Sequence, residues 1–148
     1  MWQSSIIMSN GNLIPFADAR VHPLSLGMAY ATTVFEGMRA YRNPGSGAFS
    51  IFRLADHVRR LQSGMKVMRF GRRFEYAEIR DNLARLIEAN APDDDVYIRL
   101  LVYVEAIGFL ANTEPAVFPG AASRRERSAF VPEGMQLGVS LWSRLPDI

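Results

Sequence analysis

Residues 96–104 read Val-Tyr-Ile-Arg-Leu-Leu-Val-Tyr-Val, and no other stretch narrows the fold so far. Side chains alternate across a strand, so Val96, Ile98, Leu100, Val102 and Val104 make one purely aliphatic face. Tyr97, Arg99, Leu101 and Tyr103 make the other. The aliphatic face has to be covered by a second layer. The Tyr/Arg/Tyr face is suited to meet water or a ligand.

The covering layer is written in a helical period. Leu54, Val58, Leu61, Met65 and Met68 are spaced four, three, four and three apart, which is one helical stripe. A second helix is expected over residues 74–89, with Tyr76, Ile79, Leu83, Leu86 and Ile87 on its stripe. Asn90-Ala91-Pro92-Asp93 stops it.

Two hairpins are marked by their turns. Asn10-Gly11 follows a short strand over residues 5–8 and favours a tight two-residue turn. Pro15 confines the returning strand to an edge or an end. A β-rich segment over residues 32–41 meets the turn-dense run Asn43-Pro44-Gly45-Ser46-Gly47, and residues 49–52 return. Residues 111–133, with two prolines and a charged cluster, read as a long surface excursion, and 136–142 as a final strand. The expected class is α+β: a mostly antiparallel sheet with two helices on one face.

Composition bounds the chemistry. A chain of 148 residues suits one domain, and 49% apolar against 22% charged residues argues against disorder. There is no cysteine, hence no disulfide or thiolate metal site, and with only His22 and His57 no metal site is expected. The N-terminus carries no secretory signal, and the most apolar run is too short and contains Arg99, so a cytoplasmic protein with no membrane partner is expected. The pI is about 9.3 with a formal charge of only +2, and the basic residues concentrate in the middle of the chain, near Arg69, Arg72 and Arg73. A solvated surface fits better than a nucleic-acid interface.

Three places could carry chemistry. In Phe35-Glu36-Gly37-Met38-Arg39-Ala40-Tyr41 a glycine interrupts a strand, which suggests either close approach by a ligand or backbone, or a bulge. Arg53 stands at a strand-to-helix junction, where a guanidinium fork and free helix N–H groups suit a phosphate; a surface ion pair is the plainer alternative. Tyr97 and Arg99 share a strand face and together suit a carboxylate, against the alternative of an exposed amphipathic edge. His57 is expected to pack or cap, His22 to sit in a turn, and Met65 and Met68 to fill core.

Taken in order, these segments resemble one family. The run Tyr30-Ala31-Thr32-Thr33-Val34-Phe35-Glu36-Gly37-Met38-Arg39-Ala40-Tyr41 resembles the signature strand of branched-chain amino-acid aminotransferases. Phe52-Arg53, Asp56-His57, Arg60-Leu61, Tyr97-Ile98-Arg99 and Ser140-Leu141-Trp142-Ser143-Arg144 resemble further pieces, in the family's order. The resemblance implies the small domain of fold type IV pyridoxal-phosphate enzymes. It implies that Arg53 holds the cofactor phosphate, that Tyr30, Phe35 and Tyr97 line an aliphatic side-chain pocket, and that Tyr97 and Arg99 lie near the substrate carboxylate.

It also implies an amino acid and a 2-oxo acid as small-molecule partners, and a homodimer. Ala31, where the family has glycine, and Leu100, where it has proline, depart from the pattern. Residues 1–142 are expected to be the small domain and 143–148 the opening of a linker, with the catalytic C-terminal domain absent. Transamination needs a lysine amine, which the family places shortly after the Trp-Ser-Arg segment. The only lysine here is Lys66, on the first helix. No catalytic residue is therefore assigned, and pyridoxal phosphate is expected in the parent enzyme but not on this chain alone. D-amino-acid aminotransferases and aminodeoxychorismate lyases share the fold, but the Phe35 to Tyr41 run favours the branched-chain enzyme. A non-catalytic assembly module is the alternative from another class.

Overall fold

Alternation along the strands and the two helical stripes meet in one core. A computed structural model describes residues 4–108 and the backbone of 120–124. Six strands, β1 (Ile6–Ser9), β2 (Asn12–Pro15), β3 (Thr33–Arg42), β4 (Phe49–Ile51), β5 (Val96–Tyr103) and β6 (Gly120–Arg124), form one sheet in the order β2-β1-β6-β5-β3-β4. Every described pairing is antiparallel. Asn10 and Gly11 both take positive φ (49° and 78°), as a two-residue hairpin turn requires. The second turn is organised by Asn43, whose Oδ1 accepts from the amides of Gly45 and Ser46.

The covering helices are α2 (Leu54–Val67) and α3 (Tyr76–Asn90), which follow a one-turn helix α1 (Leu26–Ala29). Val58, Leu61 and Met65 of α2, and Ile79, Leu83, Leu86 and Ile87 of α3, are buried. They close on Met38 and Ala40 of β3 and Val96, Ile98, Leu100 and Val102 of β5. Each fully buried side chain of this size contributes about 1.5–3 kcal/mol relative to exposure. The stripes end one residue short at each outer margin: Met68 and Tyr76 are exposed. The expected class, α+β with two helices on one face of an antiparallel sheet, is borne out.

Two segments differ from expectation. Residues 111–133 are not wholly a surface excursion, because β6 lies within them and pairs with β5 from Leu100↔Gly120 to Val96↔Arg124. Its Gly-Ala-Ala-Ser-Arg sequence has no β-branched or aromatic residue and no alternation, so it carries no strand signal. Its pairing is tertiary in origin: it joins β1 to β5 as a backbone ladder. Residues 16–31 carry no clear period, yet form a 3-10 turn (Phe16–Asp18) and α1. His22 does serve a turn, its Nδ1 accepting from the amide of Leu24. The strand expected over 136–142 and the linker over 143–148 lie outside the described residues.

Asn90, the last residue of α3, ties the helix layer to the sheet. Its side-chain oxygen accepts from the Ile6 amide at 3.1 Å, and its nitrogen donates to the Ile6 carbonyl at 2.9 Å. Asn90→Leu leaves both backbone groups without this partner, so a loss of about 1–3 kcal/mol is expected. Amide exchange should rise first across β1 and β2, and uniform exchange across the sheet would contradict the assignment.

Candidate functional site

The uncovered face of the sheet carries the odd-numbered residues of β3 and β5. In register, Phe35 lies across from Leu101, Gly37 from Arg99 and Arg39 from Tyr97. The pairing runs through Gly37 without interruption, so there is no bulge. The close approach at Gly37 comes instead from a side chain of the neighbouring strand. A Cβ at Gly37 would sit 3.1 Å from Tyr97 Cζ and closer still to its Oη. Tyr97 thus leans diagonally from its partner Arg39 and lays its phenol over the one position with no side chain. The Arg99 guanidinium lies 6.0 Å from the Tyr97 ring centroid, at the outer reach of a cation–π contact. The structure therefore brings Tyr97 and Arg99 together as expected, with Phe35 exposed on the same face.

Helix α1 closes one end of this face. The amide of Gly27 donates to the Val104 carbonyl at 2.8 Å, and that of Leu26 to Ala106 at 3.0 Å. Gly27 is the contact point: a Cβ there would stand 2.7 Å from Tyr103 Cδ2 and 2.9 Å from Tyr103 Cβ. Burial, and secondarily the charge of Glu105, push the Tyr103 hydroxyl pKa up. Tyr30 directly follows α1 at this end and is exposed.

Arg53 occupies a different place. It adopts a left-handed conformation (φ 52°, ψ 41°) between β4 and α2, and its carbonyl accepts from the Asp56 and His57 amides. Its guanidinium pairs with Asp56 at 2.5 Å, and Arg59 holds the other Asp56 oxygen at 2.6 Å. The hydrogen bonds from Arg53 and Arg59 hold the Asp56 carboxyl below its usual range. Arg53 lines a hollow of about 390 Å³ with Phe52, Asp56, His57 and Arg60.

Neither Tyr97 nor Arg99 lines that hollow, so the two expected anion sites do not converge in the described residues. Alternation is the reason. The helix α2 packs against the even-numbered side of β3, whereas Tyr97 and Arg99 stand on the odd-numbered side. A larger groove of about 800 Å³ lies between β4 and α3 and contains none of these residues.

Behind the hollow, His57 and Arg60 of its lining meet a buried carboxylate that the helical and strand periods did not reveal. Glu36, only 4% exposed, stands on the covered face between Val34 and Met38. Its Oε1 accepts from Arg60 Nε at 2.6 Å, and its Oε2 accepts from Arg60 Nη2 and contacts His57 Nδ1 at 2.8 Å. The bond from Glu36, then its charge, raise the Arg60 pKa further above its ordinary value. His57 is therefore a carboxylate partner rather than simple packing. A signal was present in the sequence: Glu36 falls on an aliphatic face, where a carboxylate needs a cation. His57 and Arg60, three apart, share one side of a helix.

Among the described residues no group of three His, Asp or Glu side chains is placed to hold a metal, and no helix is long and apolar enough to cross a membrane. The described residues thus carry a hollow lined by two arginines, a histidine and an aspartate at a helix start, and a separate Tyr/Arg sheet face. The chain belongs to the amino-transferase class IV family, whose model matches residues 33–146.

Within that family it is 30% identical to the branched-chain-amino-acid aminotransferase of Salmonella typhimurium (strain LT2), over 96% of this chain and 47% of that protein. It is 29% identical to the enzyme of Escherichia coli (strain K12) over the same shares, 96% and 47%. The chain thus spans about half the length of these curated relatives. Among solved structures, the branched-chain aminotransferase of Thermoproteus uzoniensis with norvaline matches with a TM-score of 0.73 at 28% identity, over 81% of this chain and 40% of that one. The enzyme of Thermobaculum terrenum in its PLP form matches with a TM-score of 0.69 at 33% identity, over 82% of this chain and 40% of that one. A further branched-chain amino acid aminotransferase, solved with 4-methylvaleric acid, matches with a TM-score of 0.71 at 32% identity, over 80% and 40%. The resemblance read in the sequence, to branched-chain aminotransferases of fold type IV, is borne out.

Proposed function

We propose that this chain is the substrate- and phosphate-holding part of a pyridoxal-phosphate aminotransferase that moves the amino group of leucine, isoleucine or valine to 2-oxoglutarate. The observation that carries the proposal is the Tyr97 phenol laid over Gly37 beside Arg99. A guanidinium and a hydroxyl on one open face suit a carboxylate, and Phe35 with Tyr30 supplies apolar surface for a branched tail. Pyridoxal phosphate, when bound, supplies the electron sink for amino transfer.

The donor set of the hollow suits its phosphate: Arg53, Arg60 and His57 line about 390 Å³ at a helix start, with Phe52 and with Asp56, whose carboxylate is held by Arg53 and Arg59. Arg60 thereby joins Arg53, which sequence alone singled out. The one lysine, Lys66, is exposed on α2 and lines neither the hollow nor the groove. No residue of this chain is assigned a catalytic role, and the chain by itself is not expected to transaminate or to hold the cofactor covalently. Residues 1–142 are taken as the small domain. Leu24, Met28, Tyr30, Phe35 and Ile107 leave large apolar side chains exposed, which supports a homodimer through this end of the sheet. A cytoplasmic enzyme of small molecules, with no nucleic-acid or membrane partner, is part of the same proposal.

A titration of the isotope-labelled chain with 4-methylvaleric acid tests the carboxylate site. Amide shifts are expected to concentrate at Phe35, Gly37, Tyr97 and Arg99. Arg99→Ala should weaken binding by about tenfold or more, the size of one charge-assisted hydrogen bond. Shifts that concentrate elsewhere, or an affinity indifferent to Arg99, would refute the assignment.

A further inference from the structure

We propose that Glu36 is the positioning residue of the phosphate hollow, holding Arg60, with His57 beside it, so that the guanidinium turns its free donor edge toward an anion beside Arg53. The inference rests on the reading of that hollow as a phosphate site.

The location of Glu36 calls for such a role. It is 4% exposed on the covered face of β3, in register with Leu100 and followed on that face by Met38 and Ala40. An apolar side chain would satisfy the core there, and a buried carboxylate is costly unless it is fully bonded. Its two oxygens are taken by Arg60 and His57, both from the first two turns of α2.

The bonding geometry assigns the direction. Arg60 meets Glu36 through Nε and Nη2, one edge of a planar group, which leaves Nη1 on the far side. His57 meets Glu36 through Nδ1, which puts Nε2 on the opposite side of the ring. Arg60 is 65% exposed and His57 17%, and both line the hollow with Arg53 and with Asp56, whose two oxygens are already held by Arg53 and Arg59. The carboxylate lies behind the guanidinium and the imidazole, so its own repulsion of an anion is screened by the two groups it contacts. Without it, Arg60 would be a mostly exposed side chain on a flexible stem.

A merely structural Glu36 would fasten α2 to β3 and do nothing else. The two roles separate in a titration of the full chain with inorganic phosphate, followed by the arginine Nε–Hε signals and run well below the thermal midpoint. In the parent sequence the Arg60 Nε–Hε signal should be protected from solvent exchange before any phosphate is added. In Glu36→Gln, which keeps the shape but not the charge, and in Glu36→Met, which also removes the hydrogen-bonding end, that protection should be lost. Phosphate affinity should then fall by about fivefold, the effect of freeing one long side chain that binding must order again.

Unchanged or tighter phosphate binding in a folded Glu36→Gln variant, with Arg60→Ala still weakening it, would overturn the positioning role and leave the phosphate site standing. Phosphate affinity indifferent to both Arg53→Ala and Arg60→Ala would overturn the phosphate site itself, and the role of Glu36 with it.

Discussion

Ile98→Ala should remove about 2–5 kcal/mol of folding stability, while Arg99→Ala, one residue on, should stay within about 0.5 kcal/mol. Ile98 is fully buried on the covered face of β5, among Met38, Leu61 and Leu83 in the core cluster. Truncation there strips buried methyl groups and leaves a cavity that close-packed neighbours fill only in part. Arg99 faces out and is exposed, so its loss opens no void. A domain of this size has a total stability of about 5–15 kcal/mol, so the first substitution takes a large share of it and the second almost none. Urea unfolding reads both as a shift in midpoint at constant slope. Two similar losses would mean that the sheet is covered on both faces, and the open site would disappear with that finding.

That contrast also explains how much was legible beforehand. The elements that bury a full face announce themselves by period. Residues 96–104, the stripe from Leu54 to Met65 and the stripe from Ile79 to Ile87 all fall where alternation and helical spacing put them. Turns with special backbone needs are legible too, as Asn10-Gly11 shows. The strand β6 is held by ladder hydrogen bonds to neighbours on both sides, and a backbone ladder leaves no side-chain pattern.

The site was legible in pieces but not in arrangement. Tyr97 and Arg99 are neighbours on one strand face, so the alternation that defines the strand also brings them together. Arg53 and Arg99 are placed by different layers, and neither period says whether those layers open on one hollow. The carboxylate beside Arg60 was hidden for another reason. Glu36 was read within a signature run, whereas its physical meaning comes from the apolar residues at 34, 38 and 40 that share its face.

Gly37→Ala is expected to abolish most of the proposed carboxylate site while leaving the fold intact. As a strand residue Gly37 has an ordinary backbone, since it is not among the glycines with positive φ. Alanine would reduce the freedom of the unfolded chain, which by itself favours folding by about 0.5–1 kcal/mol. The opposing term is steric. The new Cβ would fall within 3.1–3.2 Å of Tyr97 Cζ and Cε2 and nearer still to Oη, so the tip of the ring must move. Tyr97 is half-buried on the open face, so the ring can swing at modest cost, and the two terms roughly cancel.

The thermal midpoint should therefore move by only a few degrees. What does not survive the swing is the placement of the hydroxyl over Gly37, the cross-strand partner of Arg99. Losing that donor to a charged carboxylate costs about 1.5–3 kcal/mol, so 4-methylvaleric acid should bind at least about tenfold more weakly. Tyr97→Phe separates position from chemistry. If the hydroxyl is what the glycine makes room for, Tyr97→Phe alone should give a similar loss, and Gly37→Ala on top of it should add little, because both remove one interaction. Full affinity in Gly37→Ala would mean that the ring over Gly37 only fills space, and the bare position on β3 would then need a reason other than the ligand.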